Sequence, residues 1–201
     1  PYRLHVIDDA STEGNAEYIW GLRDEGRLDS VILRFERAGI PASLRAIAGL
    51  TASDPVVFTD DDILLPRLEP DWLARGLEAM GQVPELGLLA LNTPGCNVRH
   101  SRGNVKPEGP VSFCRNVPGS FVFVRREVLA TCRPADGDRA PVKVMCRKAR
   151  RRRWRVGYLT NVYCQHIGVT SVRNGKDLSH DLDLVTPVDG DTLEPPEKYR
   201  W

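Results

Sequence analysis

The sequence lacks any apolar run approaching the roughly 18 to 20 residues that span a bilayer, so nothing in it reads as a transmembrane helix. Its opening, Pro1-Tyr-Arg-Leu-His, has no charged-then-apolar layout of a secretion signal. There is no CxxC pair either: Cys96, Cys114, Cys132, Cys146 and Cys164 stand far apart, and a structural zinc site would need distant segments. Their odd number argues against a complete disulfide framework. They read as small buried hydrophobes in a reducing compartment, and the expected location is the cytoplasm. Charge of one sign is also missing, with 28 Lys+Arg against 27 Asp+Glu and a formal net charge of +1. That balance excludes a protein whose whole surface is a polyanion-binding field. No glycine-rich, lysine-containing phosphate loop stands near the N-terminus, which weighs against a nucleotidyltransferase. No internal repeat is visible.

What is present is a chain of 201 residues with ordinary hydrophobic content (41%), enough for one independent core. Short apolar runs alternate with amphipathic stretches through the first half. Residues 4–7, 31–35, 55–59 and 86–91 read as strands; 15–24, 41–50 and 71–80 read as helices. Strands spaced by helices predict β-α-β units and a mostly parallel sheet, covered on both faces. Residues 92–109, rich in Gly, Pro, Asn and Arg, read as a long loop, and long loops are commonly functional. Further strands are expected at 111–114, 120–124, 155–159 and 162–167, with helices at 126–131 and 142–153. Residues 1–175 are read as one domain. From Lys176 onward an acidic, Pro-containing tail (176–201) is read as weakly ordered or as a strap on the domain.

Two acidic clusters end two of these strands. Asp8-Asp9 follows Leu4-His-Val-Ile, and Asp60-Asp61-Asp62 follows Val56-Val-Phe-Thr. In open α/β sheets ligands bind beyond the carboxyl ends of strands. Five carboxylates at one edge repel unless a cation or a donor-rich ligand lies between them. Hard divalent cations fit that need, since Mg2+ or Mn2+ is commonly held by one or two carboxylates plus substrate phosphates. Aspartate is also an ordinary turn and helix-capping residue, and for Asp8 and Asp9 that alternative stays open.

These residues carry a resemblance. Ile7-Asp-Asp-Ala-Ser-Thr and Phe58-Thr-Asp-Asp-Asp-Ile-Leu-Leu-Pro are similar to segments of the family 2 glycosyltransferases of the GT-A fold. Gly119-Ser-Phe-Val-Phe-Val-Arg-Arg-Glu-Val-Leu and Trp154-Arg-Val-Gly-Tyr-Leu-Thr-Asn-Val-Tyr-Cys-Gln-His-Ile-Gly follow in the same order, so the similarity covers about residues 4 to 168. The resemblance implies an α/β fold of the nucleotide-diphospho-sugar transferase type, a mostly parallel central sheet with a small antiparallel extension. It also implies a metal-dependent, hexosyltransferase-like glycosyltransferase that uses a UDP- or GDP-type sugar donor. Asp8 or Asp9 would contact the base or ribose. Asp60-x-Asp62 would be the DxD motif that holds Mn2+ or Mg2+ against the donor diphosphate, with Asp61 beside the donor. His166 stands where related enzymes place a further metal ligand or phosphate contact, and an imidazole there favours Mn2+. A histidine capping a strand is the plainer alternative. Arg45 lies where the family has an Arg-Asn pair near the donor, although Ala46 replaces the Asn here.

Two departures stand against the pattern. Inverting members carry a carboxylate general base just before the helix leading to the Trp154 strand. Here that place holds Pro141 and Val142, so Asp136 and Asp138 are the candidate catalytic residues, with a plain polar turn as their alternative. The family's opening strand and helix are also not among these residues. The expectation is a longer natural chain, or another segment that completes the nucleotide pocket.

The run Arg147-Lys-Ala-Arg-Arg-Arg-Arg-Trp-Arg packs seven cations into nine residues. At about 100° per helical residue these charges are expected to surround much of the cylinder rather than form a stripe. A solvated helix end is one reading. A patch (Arg147–Arg155) for an anionic acceptor is the other: nucleic acid, phosphorylated polymer or lipid headgroup, the last placing the protein at a membrane surface. A noncatalytic anion-binding module on a degenerate transferase scaffold is therefore the rival function.

Overall fold

The computed structural model describes residues 2–12, 14–93, 106–138 and 140–166, with the backbone of short strands at 170–171, 176–177, 186–188 and 192–194. In chain order the first half comprises β1 (His5–Asp8), α1 (Asn15–Asp24), β2 (Ser30–Leu33), α2 (Gly39–Leu50), β3 (Val56–Thr59), β4 (Ile63–Leu64), α3 (Trp72–Gln82) and β5 (Leu86–Asn92). The second half adds β6 (Lys106–Glu108), β7 (Val111–Phe113), β8 (Phe121–Val124), α4 (Arg126–Thr131), α5 (Pro141–Arg151), β9 (Arg155–Tyr163) and β10 (Gln165–His166). Two strand pairs follow: β11 (Thr170–Ser171) with β12 (Lys176–Asp177), and β13 (Thr186–Val188) with β14 (Thr192–Glu194). Most of the expected acidic tail lies outside the described residues, as do residues 94–105 of the expected long loop and Cys96.

The central sheet has six strands in the order β3-β8-β5-β9-β7-β6. Four of its six strands run one way, in line with the expected mostly parallel sheet, but the antiparallel part is larger than a small extension. Only β5 and β9 are parallel neighbours; β3/β8, β5/β8, β7/β9 and β6/β7 are antiparallel. Strands β3, β5, β6 and β9 share their direction because β8 is inserted in reverse between β3 and β5, and β7 between β9 and β6. Burial hid the reversed pairing of β8 from the sequence. All four residues of β8 are buried, as are all seven of β5, and a strand covered on both faces reads the same in either direction. β1 and β2 pair in parallel as a separate two-stranded sheet.

Alternation along the strands divides the core into two layers. Leu88, Ala90, Val122, Val124, Val56, Val156 and Tyr158 face Leu44 of α2, Val128 and Leu129 of α4, and Val142, Met145, Cys146 and Ala149 of α5. Leu89, Leu91, Phe121, Phe123, Val111 and Leu159 face Ala79 and Met80 of α3. Trp72 meets Phe121 edge to face at 5.2 Å between centroids, and Gly76 lets α3 approach Phe123. Asp71 caps α3 by accepting from the Ala74 N–H at 2.7 Å. Of the four described cysteines, Cys132, Cys146 and Cys164 are buried as expected of small hydrophobes, and Cys114 is half-buried. Burial pushes the Cys114 thiol up to about 12 and the Cys146 thiol up to about 11, so neither is a ready nucleophile. None of the described helices is long and apolar enough to cross a membrane.

Candidate functional site

The apolar run of β3 delivers Asp60, Asp61 and Asp62 to the carboxyl end of the sheet. The Asp60 N–H donates to the Ser120 carbonyl at 2.9 Å, which extends the β3/β8 ladder by one bond and fixes where the cluster begins. β4 then pairs antiparallel with β10, with His166 opposite Ile63 and Gln165 opposite Leu64. That short ladder brings together residues about a hundred positions apart. His166 Nε2 lies 3.2 Å from Asp62 Oδ2. The other oxygen, Asp62 Oδ1, is buried and has no hydrogen-bond partner among the described residues. Such an atom forgoes its hydration without replacement.

Asp60 keeps part of its surface open to solvent, yet its carboxyl lies close among protein atoms. Burial pushes its pKa up to about 6; the Asp62 charge adds to the rise, and His166 opposes it before the smaller push from Asp61. Asp61 is exposed beside them. Among the described residues no three His, Cys, Asp or Glu side chains converge as a ready-made metal cage.

The floor beneath this cluster was missed in the sequence. Asn92, at the end of β5, donates from Nδ2 to the Leu159 and Val162 carbonyls at 3.0 and 3.2 Å. Thr93 Oγ1 shares hydrogen bonds with Ser120 Oγ at 3.2 Å and Cys164 Sγ at 3.3 Å. These buried polar contacts tie the ends of β5, β8 and β9 together at Ser120, whose carbonyl accepts from the Asp60 N–H. The only signal was a polar Asn-Thr pair closing an apolar run, and such pairs commonly mark a strand end.

The other candidates divide between two places. Asp9 Oδ1 accepts from Arg34 Nη1 at 2.8 Å and the Ala38 N–H at 2.9 Å, while Oδ2 accepts from the Gly39 N–H at 2.7 Å. Burial raises its pKa, but the Arg34 and backbone hydrogen bonds outweigh it and hold the carboxyl below the usual range. Its carboxylate therefore anchors the start of α2. Asp8 Oδ2 accepts from the Ser11 N–H at 3.1 Å. Arg45 Nη2 meets Asp136 Oδ1 at 2.6 Å, joining a donor-side candidate to a candidate base across an exposed surface. Asp138 Oδ2 accepts from the Ala135 N–H at 2.7 Å, closing the polar turn. Neither Asp136 nor Asp138 bonds to the Asp60–Asp62 cluster among the described residues. The first turn of α5 carries no acid, in agreement with the sequence.

No protein-family model matches this chain, and no curated protein matches it. Solved structures do. The mannosyltransferase PcManGT from Pyrobaculum calidifontis, in complex with GDP-Man and Mn2+, superposes with a TM-score of 0.65 at 18% identity, over 86% of this chain and 49% of that one. GalNAc-T7 with UDP, GalNAc and Mn2+ gives 0.60 at 11% identity, over 83% of this chain and 38% of that one. A Bacillus anthracis chain assigned as a glucose-1-phosphate thymidylyltransferase gives 0.54 at 11% identity, over 80% and 68%. The fold is of the GT-A, nucleotide-sugar transferase type. The chain spans half or less of the length of the first two structures it matches. At these identities the likeness speaks for the fold alone, and the third match carries that fold into a different reaction.

Proposed function

We propose that this chain is a metal-dependent glycosyltransferase of the family 2 type, moving a sugar from a nucleoside-diphosphate donor to an acceptor. The observation that carries the reading is the Asp62–His166 pair, with its buried Asp62 Oδ1 that has no hydrogen-bond partner among the described residues, beside an Asp60 carboxyl whose ionisation is opposed by burial and by the Asp62 charge. Both features are relieved by a cation, so the residues fit one. Asp60 and Asp62 would hold it with His166 adjoining, and the rest of its shell would come from substrate phosphates and water. A bound divalent cation supplies positive charge where the departing nucleoside diphosphate becomes negative.

The remaining work falls to side chains. Asp8 is the better candidate for the nucleotide, because the Asp9 carboxylate is engaged with Arg34 and α2. Arg45 carries positive charge on α2, and through its ion pair it orients Asp136. Asp136 is exposed and held at a single contact. It is therefore the stronger candidate than Asp138 to accept the acceptor proton, since Asp138 is tied into its own turn. Asp61 remains solvent-facing beside the donor.

A test is release of nucleoside diphosphate from UDP- and GDP-sugars with MnCl2 and no added acceptor, with water taking the sugar. Turnover that needs Mn2+ and falls at least about a hundredfold in Asp62→Ala is expected. Equal turnover in that variant contradicts the assignment.

A second reading draws on the absence of acid at Pro141 and Val142: a noncatalytic scaffold that binds anions through its basic helix. It predicts no metal-dependent nucleotide-sugar binding at all.

A further inference from the structure

The basic run is not a uniformly charged cylinder. α5 ends at Arg151, and its apolar residues, Val142, Met145, Cys146 and Ala149, are buried against the sheet. The cations are consequently gathered on the other side. Lys143, Arg147, Arg150 and Arg151 are all exposed and, at about 100° per residue, fall within an arc of about 100°. They follow one another at helical-turn spacing, so the stripe runs along α5 from Lys143 to its last residue, Arg151, on the order of 12 Å. Arg152 and Arg153 continue it into the following turn, also exposed.

Two members of the run are excluded because the fold uses them. Arg155 pairs with Glu85 at 3.3 Å and Glu108 at 2.8 Å and lies over the Phe113 ring. Lys148 donates to the Arg133 carbonyl at 2.6 Å. By contrast, Lys143, Arg147 and Arg150 to Arg153 form no ion pair among the described residues.

The turn supplies an independent observation. The Arg153 N–H donates to the Arg150 carbonyl and the Trp154 N–H to the Ala149 carbonyl, each at 3.1 Å, the paired bonds of a Schellman closure. The residue at the left-handed position of that motif is usually glycine, yet Arg153 occupies it at φ 69. A guanidinium is thus kept where the backbone favours no side chain. Such a residue is a pointer to function.

We infer that this stripe and turn form a docking surface for a linear phosphodiester polyanion lying extended along α5. Guanidinium forks suit phosphate oxygens, and a narrow row of them suits a chain rather than a plane. A bilayer is the poorer occupant. The exposed large apolar residues among those described are Tyr2, Leu4, Tyr18, Trp20, Phe35, Ile40, Leu64 and Leu77, none of them on α5 or its turn. With a formal net charge of +1, attraction must come from this local surface and not from the whole molecule. The inference stands apart from sugar transfer and holds whether or not the acidic site binds a donor.

The test is fluorescence anisotropy of a labelled oligothymidylate of about 20 nucleotides, followed across a KCl series with no metal or nucleotide sugar. Four to six phosphate contacts give a slope of log K against log salt of about −3 to −4. The double variant Arg150→Ala/Arg151→Ala should weaken binding about tenfold or more and flatten the slope by about 1.4, with its thermal midpoint unchanged. Arg153→Gly should separate two effects, weakening binding while raising the thermal midpoint. A control pair away from α5, Arg23→Ala/Arg37→Ala, should bind like the wild type. Absent binding, or binding that survives the α5 variants, overturns the inference. So does capture by vesicles containing phosphatidylserine with none by the oligonucleotide, which would assign the surface to a membrane.

Discussion

Asp9 and Asp60 both follow apolar strands, and their surroundings drive them in opposite directions. Asp9 is held below its ordinary pKa by Arg34 and the α2 backbone despite burial, so its ionised form stabilises the fold. That stability is fully present above the unfolded value of about 3.8 and is lost as pH falls through the depressed one. Asp9→Ala is expected to cost about 1–2 kcal/mol at pH 7, and less in strong acid, measured by urea unfolding across pH. Asp60 is the reverse case. Between the unfolded value of 3.8 and the folded value of about 6 the native carboxyl keeps a proton that the unfolded chain has released. Stability therefore declines as pH rises through that window. Asp60→Asn should raise stability by about 1 kcal/mol at pH 7.5, a figure reduced for the solvent screening of a partly exposed group, and leave it unchanged at pH 4. In the wild type, Mn2+ should raise the thermal midpoint at pH 7.5 and progressively less below about pH 6, where the proton competes. A midpoint indifferent to both pH and Mn2+ would count against a cation at this carboxyl.

At the scale of elements, packing tolerances give a sharper prediction than propensities do. α3 lies so close to β8 that a Cβ built on Gly76 would stand 2.3 Å from Phe123 Cζ. Gly76→Ala improves helix propensity by about 1 kcal/mol yet should destabilise the protein by about 1–3 kcal/mol net, because the ring or the helix must move. Chemical denaturation decides the sign. These elements were largely legible in the sequence. The 3.6-residue pattern of 71–80 and the continuous run at 86–91 each read correctly to within a residue or two of α3 and β5. The reversed pairing of β8 was not legible, because β8 is buried on both faces and reads as the same continuous apolar run that a parallel strand shows. Charge placement on α5 was misread for a related reason. Counting cations around an unbroken helix ignored that Val142, Met145, Cys146 and Ala149 claim one face, and that the helix stops at Arg151.

Across the whole molecule, burial is uneven. β5 and β8 are fully buried, whereas α1 has no buried residue and β1 and β2 are only half-buried in their own two-stranded sheet. Native-state hydrogen exchange should find amides of residues 5–33 opening at lower free energy than those of 86–92 and 121–124, and uniform protection would contradict this picture. The candidate site has the same long-range character. The aspartates were visible as a cluster after a strand, but their juxtaposition with His166 depends on a two-residue ladder between β4 and β10, and no local pattern encodes that pairing. The hydrogen-bonded floor of Asn92, Thr93, Ser120 and Cys164 is likewise assembled from three strands. Under the proposed function this edge binds a nucleoside diphosphate through a divalent cation. The most direct test is calorimetric titration of UDP- and GDP-sugars into the wild type and Asp62→Ala, with and without MnCl2. Binding of at least one donor that needs Mn2+ and is lost in the variant is expected. Donor binding equally strong without the metal or without Asp62, or none to the wild type with Mn2+ present, would contradict the proposed function.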